Sequence, residues 1–346
     1  MNRIFRNGTN YYKDHTFYTC ADNDGSIFSL SNRDEHRARR KALSPRFSKQ
    51  AAEADAPGIL RQLRRMENFM VQQSTQQKSC NINDLFRAFA TCEAYTRPRM
   101  NKPIRADLER NKASVIELLV AHSHDVTGKP PDLDYLAAEA FTFIDAGVDT
   151  AGRTLAAAVY HVLRNPEIEK NLRHELDEAK LWGDGNNEAD VHKLGNLPYL
   201  NAVIKEAHRI WPALPGPLPR VVPPEGLQVG AYFIPAGTII SATHHSLHSD
   251  ETIFPEPTKF KPERWLRDDR TDPDRYLNPY SRGSRACIGI NLAQILLQLA
   301  LADLFYRLDM ELCEPIPSAL TWKDHFVAEP TSPIYLRARF RAGNLM

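Results

Sequence analysis

A helical pattern from Leu133 to Arg164 sets the scale of anything this chain folds into. It opens after "GKPPD" and stops at Asn165-Pro166, because a residue before proline is pushed out of the helical region. Leu136, Ala140, Phe143, Gly147, Thr150 and Thr154 follow a +4, +3 rhythm and lie on one face. That face is narrow at its middle. Gly147 and Gly152 each cost about 1 kcal/mol relative to alanine in a helix interior, so keeping both implies a reason to thin the wall. One reason is close packing of a second helix with Asp149 left in solvent; the other is room for a ligand. Asp149 and Thr150 beside the gap put an acid next to an alcohol, which is what proton delivery requires.

Shorter helical patterns run from Arg33 to Leu43, Pro57 to Gln73, Leu108 to His122, Pro198 to Ile210 and Ile288 to Tyr306. Between Val221 and Ala242, β-branched and aromatic residues alternate with Gly and Pro turns, as in a small sheet. The fold class is therefore mainly α with a minor β-sheet (α+β). One domain over 1–346 is expected, with a helical part at 33–164 and a core at 165–346. At 42% apolar and 25% charged residues the chain is globular, and a net charge of +1 gives no overall attraction to nucleic acid or anionic membrane. Five scattered cysteines, Cys20, Cys80, Cys92, Cys287 and Cys313, argue for a reducing compartment rather than a disulfide framework. No apolar run reaches the ~18 residues of a membrane span, and "MNRIFRNGTNYYKDH" has no signal-peptide core. The chain reads as soluble or peripheral, and intracellular.

The stretch "YSRGSRACIGINLAQ" sets Cys287 between two glycines and two arginines, directly before an apolar helical pattern. Gly283 and Gly289 allow positive φ and close approach to a flat ligand. A helix N-terminus at Cys287 would stabilise a thiolate, which makes the sulfur a competent metal ligand. No second cysteine stands at the Cys-x-x-Cys spacing of zinc or iron–sulfur sites. A single thiolate with guanidinium groups nearby suits haem, whose iron takes the sulfur and whose propionates take an arginine such as Arg285. The alternative is a small buried hydrophobe beside a turn.

"YSRGSRACIG" resembles the cysteine-ligand loop of the cytochrome P450 family, Phe-x-x-Gly-x-Arg-x-Cys-x-Gly, with Tyr280 in place of the usual Phe. The Tyr ring can pack as Phe does, but its hydroxyl needs a hydrogen-bond partner or water. "FIDAGVDTAG" resembles the family's Ala-Gly-x-Asp-Thr motif, which implies that Gly147 makes room for oxygen while Thr150 and Asp149 deliver protons. Glu206 and Arg209, three apart on one helix, with Arg264 in Pro-Glu-Arg-Trp, match a buried structural triad. His36 and Arg40, one turn apart, match a helix that reaches the haem propionates, and Arg220 in "GPLPR" matches a further propionate contact. The other basic residues around His36 would then form a face for an acidic electron donor. Ala213 to Pro217, with Phe143, Leu214 and Pro215 among the apolar positions, would line the substrate pocket. "HHSLH" at His244 to His248 is not read as zinc, because strand alternation would send His244 and His245 to opposite faces.

The resemblance implies a cytochrome P450 fold and a haem b cofactor. It also implies one oxygen atom of O2 inserted into an apolar small molecule, with electrons from NADPH through a reductase. The wording of the motifs is similar to fungal enzymes of secondary metabolism, so a terpenoid or polyketide substrate is expected. Full-length relatives are anchored to the endoplasmic reticulum membrane, and this chain shows no anchor. Only 35 residues precede His36, and the helices that roof the pocket are missing between "NINDLFRAFATCEAYTRPRMNKP" and "IRADLERNKASVIELL". An incomplete fold is therefore expected, with an unpaired sheet edge near Ile239 and, if the chain is active, a substitute lid from Thr91 to Ala106. The rival reading is a non-catalytic haem-binding remnant of a monooxygenase. A third is a helical interaction module without haem.

Overall fold

The computed structural model describes residues 4–5, 9–19, 24–96, 113–182, 189–266 and 273–342, with 92–96 described by backbone alone. In chain order the first elements are β1 (Tyr12–Lys13), α1 (His15–Tyr18), α2 (Arg33–Leu43), α3 (Lys49–Ala54), α4 (Ala56–Thr75), β2 (Cys80–Asn81), α5 (Ile82–Thr96), α6 (Val115–Thr127) and α7 (Leu133–Leu163). There follow α8 (Pro166–Ala179), α9 (Val191–Leu194), α10 (Pro198–Ile210), β3 (Arg220–Val221), β4 (Leu227–Val229), β5 (Tyr232–Ile234), β6 (Ile239–Ile240) and α11 (His244–His248). The C-terminal elements are α12 (Ile290–Arg307), β7 (Leu308–Cys313), β8 (Trp322–His325), β9 (Val327–Pro330) and β10 (Tyr335–Phe340).

The long helix forms as its pattern predicts. Asp132 caps α7 by accepting from the Asp134 N–H at 3.3 Å, and Pro166 opens α8 at the position where its missing N–H costs nothing. Asn32 caps α2 in the same way, accepting from the N–H groups of Asp34 and Glu35 at 2.9 and 3.2 Å. The expected helix from Leu108 to His122 is corrected. Its part up to 112 lies outside the described residues, and α6 begins at Val115 because Ser114 and Glu117 form a reciprocal capping box. Most of the proposed lid from Thr91 to Ala106 also lies outside them.

Helix α12 is apolar around its whole circumference, and such a helix belongs in the interior. Ile295 to Phe305 are buried, and a single core joins them to α4, α5, α7, α8 and α10. Burial of each Leu on this helix is worth about 1.5–3 kcal/mol. At the joint of α5 and α7, a Cβ on Gly152 would stand 3.0 Å from the backbone of Phe86 and Arg87. Gly152 is therefore explained by helix packing. Gly147 has nothing within 4 Å of the position a Cβ would take, so the thinning there serves no helix contact among the described residues.

The single small sheet expected between Val221 and Ala242 is two structures. β3 and β6 pair antiparallel with each other, and β1 completes a three-stranded sheet in the order β1-β3-β6. β4 and β5 form a separate hairpin. Among the described residues β6 is an edge strand, and Ile239 is 58% exposed, in line with the expected open edge. A second sheet, β2-β10-β7, and the hairpin β8-β9 lie in a part of the chain where no strand pattern was read. "HHSLH" forms the short helix α11 rather than a strand, so the alternation argument against zinc fails. Among the described residues no group of three or more His, Cys, Asp or Glu is placed to hold a metal ion.

Candidate functional site

The Cys287 loop is closed by its own backbone. The Cys287 N–H donates to the Tyr280 carbonyl at 2.8 Å, and positive φ at Ser281 (57°) and Gly283 (78°) lets the chain turn between them. Arg282 is spent on this scaffold, donating to the carbonyls of Asp274, Arg275 and Leu277. Of the two arginines in the motif, Arg285 alone lines the cleft described below.

Gly289 caps α12, and a Cβ there would sit 3.9 Å from the Cys287 sulfur. The Cys287 residue is exposed, yet protein surrounds it closely enough for desolvation to act on the thiol. Burial pushes its thiol up, while the Gly289 N–H and the Arg40 charge pull the other way. The expected shift toward thiolate is thus not met in the protein alone. Cys287 stands before the first turn of α12, and desolvation outweighs the nearby dipoles.

Four residues expected at a cofactor, His36, Arg40, Gly283 and Arg285, line one cleft of about 530 Å³ together with Arg33, Arg37, Lys41, Ser44, Ser284 and one acid, Asp34. Backbone carbonyls orient the guanidinium groups. Arg40 donates to Ala286 at 2.7 Å, and Arg285 donates to Leu30 and Ser31 at 2.5 and 3.0 Å. Arg220, 3% exposed, donates to the Tyr18 hydroxyl at 2.6 Å and to the Pro219 carbonyl at 2.9 Å.

Lys13, which sequence reasoning missed, belongs to the same group. Its ammonium lies 4.2 Å from the ring centroids of both Tyr18 and Phe28 and donates to the Phe28 carbonyl. Burial, then the charges of Arg220 and Arg285, hold its pKa well below the usual lysine value. His36 is pushed down to about 3 by burial and then by Arg285, Lys13 and Arg40. Arg285 is pushed down to about 10 by burial and Arg220.

These cations oppose one another, and the hydrogen-bond partners found for Lys13, Arg40, Arg220 and Arg285 among the described residues are carbonyls and a phenol, not carboxylates. Such a cluster is costly until a multivalent anion enters. The two carboxylates of haem beside a cysteine sulfur fit this donor set.

On α7, Thr150 lies on the Gly147 side and its hydroxyl donates to the Ala146 carbonyl at 2.6 Å. Asp149 does not meet it. Its two oxygens are held by Arg87 at 2.6 Å and Arg153 at 3.0 Å, and Arg153 also donates to the Ala328 carbonyl on β9. The acid and alcohol therefore stand next to each other in sequence with separate partners. Arg153 was legible as the i+4 partner of Asp149; Arg87 lies 62 residues away and carried no local signal.

Glu206, Arg209 and Arg264 meet in one ion cluster. Glu206, fully buried, takes Arg209 at 2.8 and 2.9 Å and Arg264 at 3.1 Å, and also accepts from Trp265 Nε1 and the Lys261 N–H. Removing one partner of such a pair costs about 3–5 kcal/mol. One residue away, His208 Nε2 lies 3.0 Å from the Tyr280 hydroxyl, the partner that hydroxyl needed. Phe143 stacks on Phe47 at 5.4 Å in a small apolar cluster that includes Ile288. Leu214 and Pro215 offer their carbonyls to α11.

The cytochrome P450 family model matches residues 92–337, more than half of the chain. Cytochrome P450 monooxygenase hkm5 of Aspergillus hancockii is 55% identical over 404 residues, which cover 98% of this chain and 79% of that protein. That span exceeds the 346 residues of this chain, so hkm5 carries internal residues without a counterpart here. The inactive cytochrome P450 monooxygenase cloA of Claviceps fusiformis is 42% identical over 190 residues, 55% of this chain and 37% of that one. A crystal structure of a cytochrome P450 (CYP102L1) shares the fold, with a TM-score of 0.77 over 95% of this chain and 88% of that chain at 19% identity. No helix among the described residues is long and apolar enough to cross a membrane. With a family match over most of its length, a relative of high identity and the family's fold, the chain belongs to the cytochrome P450 family.

Proposed function

We propose that this protein is an intracellular haem-thiolate monooxygenase of fungal secondary metabolism, built as one domain, acting on an apolar terpenoid or polyketide. The observation that carries the reading is a cleft lined by His36, Arg40 and Arg285 next to the Cys287 loop, with Arg40 acting on Cys287, and Lys13 and Arg220 acting on Arg285 or His36 without a carboxylate hydrogen-bond partner among the described residues. Cys287 would ligate the iron of haem b, and the five basic residues would hold its carboxylates, with Gly283 and Gly289 shaping the loop. When bound, haem supplies the iron that takes up and activates O2.

The reaction takes substrate, O2, two electrons and two protons to hydroxylated product and water. Gly147 would leave room for O2 on the bound cofactor, Thr150 would hold a proton at its hydroxyl, and Asp149, held by Arg87 and Arg153, would deliver protons to that side. Glu206, Arg209 and Arg264 keep the ligand-loop side of the core rigid. Electrons would come from NADPH through a reductase whose acidic face meets Arg33, Arg37 and Lys41, exposed at successive turns of α2.

The test is turnover of the purified protein with a reductase, NADPH and labelled O2. One labelled oxygen atom in a terpenoid or polyketide product, matched to NADPH consumed, supports the reading. A second reading, a haem-binding remnant, is favoured by the internal residues that hkm5 has and this chain does not. Haem bound through Cys287 with no labelled product would establish it. Grafting the corresponding segment of a longer relative would then raise both haem retention and coupling.

A further inference from the structure

We propose that His208 is a positioning residue for Cys287, acting through Tyr280; this rests on haem ligation by Cys287. His208 lies on α10 between Glu206 and Arg209, whose buried ion pair at 2.8 and 2.9 Å holds that turn of the helix. Its Nε2 meets the Tyr280 hydroxyl at 3.0 Å, and the two rings stand edge to face at 5.1 Å. The carbonyl of the same Tyr280 accepts the Cys287 N–H at 2.8 Å. A rigid helix is thereby tied through one side chain to the residue that closes the ligand loop. The loop is also held by Arg40 on the Ala286 carbonyl and by Arg282 on the carbonyls of Asp274, Arg275 and Leu277.

Burial pushes His208 down to about 4, so its ring is neutral at physiological pH, with one N–H and one lone pair. Burial and the Cys287 charge push Tyr280 up, so it remains a phenol. His208 is 7% exposed, and water offers it little replacement if Tyr280 loses its hydroxyl. A phenylalanine at this position would fill the same space and leave the histidine nitrogen without its partner.

The experiment uses the haem-loaded wild type, Tyr280→Phe, His208→Leu, His208→Gln and the double variant Tyr280→Phe/His208→Leu. Absorption of the reduced carbon monoxide complex gives the ratio of thiolate to thiol ligation at neutral and mildly acidic pH. Each removal variant is expected to lower that ratio by about 3- to 10-fold, the scale of one neutral hydrogen bond's net contribution. His208→Gln keeps a hydrogen-bonding end and retains most of the ratio. The double variant falls no further than the single ones, because all three lack the same bond. Unchanged ratios in both single variants, or effects that multiply in the double, overturn the inference while leaving haem ligation intact. A wild type without any thiolate complex overturns haem ligation and this inference with it. Tyr280→Phe changes one atom, so its result does not depend on whether the His208 variants fold.

Discussion

Arg87 reaches Asp149 at 2.6 Å across the joint of α5 and α7, close to where Gly152 brings the two helices together. The acid beside Thr150 is therefore held by a partner from another helix, and the proton supply proposed for it would depend on that joint. With haem in place, Thr150→Ala and Asp149→Asn should leave the cofactor bound and divert reducing equivalents into peroxide. The rate of product formation should fall by about 10²–10⁴ for a lost proton-transfer group, and product per NADPH should fall with it. Peroxide yield per NADPH is the measurement, and unchanged coupling in both variants removes the network from the mechanism.

The two glycines of α7 separate by stability. Gly152→Ala forces a Cβ to 3.0 Å from the Phe86 backbone and should cost about 1–3 kcal/mol, read as a lower thermal midpoint. Gly147→Ala meets nothing within 4 Å and gains helix propensity, so its midpoint should stay level or rise. Equal losses at both positions would contradict the different roles assigned to them.

Removing a charge from the cation cluster has opposite effects in the two states of the protein. Lys13→Met relieves repulsion from Arg220 and Arg285 and should raise the thermal midpoint of haem-free protein. It should also speed haem loss to an acceptor, by about 10-fold for one charge-assisted hydrogen bond. Faster haem loss without gain in the haem-free state would mean that Lys13 serves packing alone.

His161 stacks on Phe260 at 4.7 Å, and burial, then Arg209 and Arg164, push it from 6.5 down to about 3. Between those values the unfolded chain binds a proton that the folded protein does not, so stability rises with pH there and is lost on acidification. One such group gives a slope of about 1.4 kcal/mol per pH unit. His161→Phe keeps the stack and should flatten the slope between about pH 5 and 6 by that amount, measured by urea unfolding at each pH. Identical slopes in both proteins would show that His161 is protonated in the folded state.

What the sequence made legible follows physical range. α2, α7, α10 and the Cys287 loop depend on caps, prolines and glycines within a few residues, and they lie where their patterns place them. The capping box at Ser114 and Glu117 was equally local and was overlooked. Lys13 and Arg87 are different in kind. Each owes its role to groups far away in the chain, such as Arg220, Arg285 and Asp149, and an isolated lysine or arginine carries no mark of such partners. The thiol of Cys287 shows the same limit, since the sequence revealed a helix start and not the burial that opposes it.

The central claim is that Cys287 binds haem iron through its sulfur while the surrounding cations hold the cofactor's carboxylates. The most direct measurement is the absorption spectrum of the purified protein, supplied with haem during expression, then reduced and exposed to carbon monoxide. The account predicts a thiolate-type band in the wild type, its loss in Cys287→Ala and Cys287→His, and its persistence with weaker haem retention in Arg40→Ala and Arg285→Ala. A wild type that takes up haem and shows no such band, or a Cys287→Ala variant that keeps it, would contradict the account.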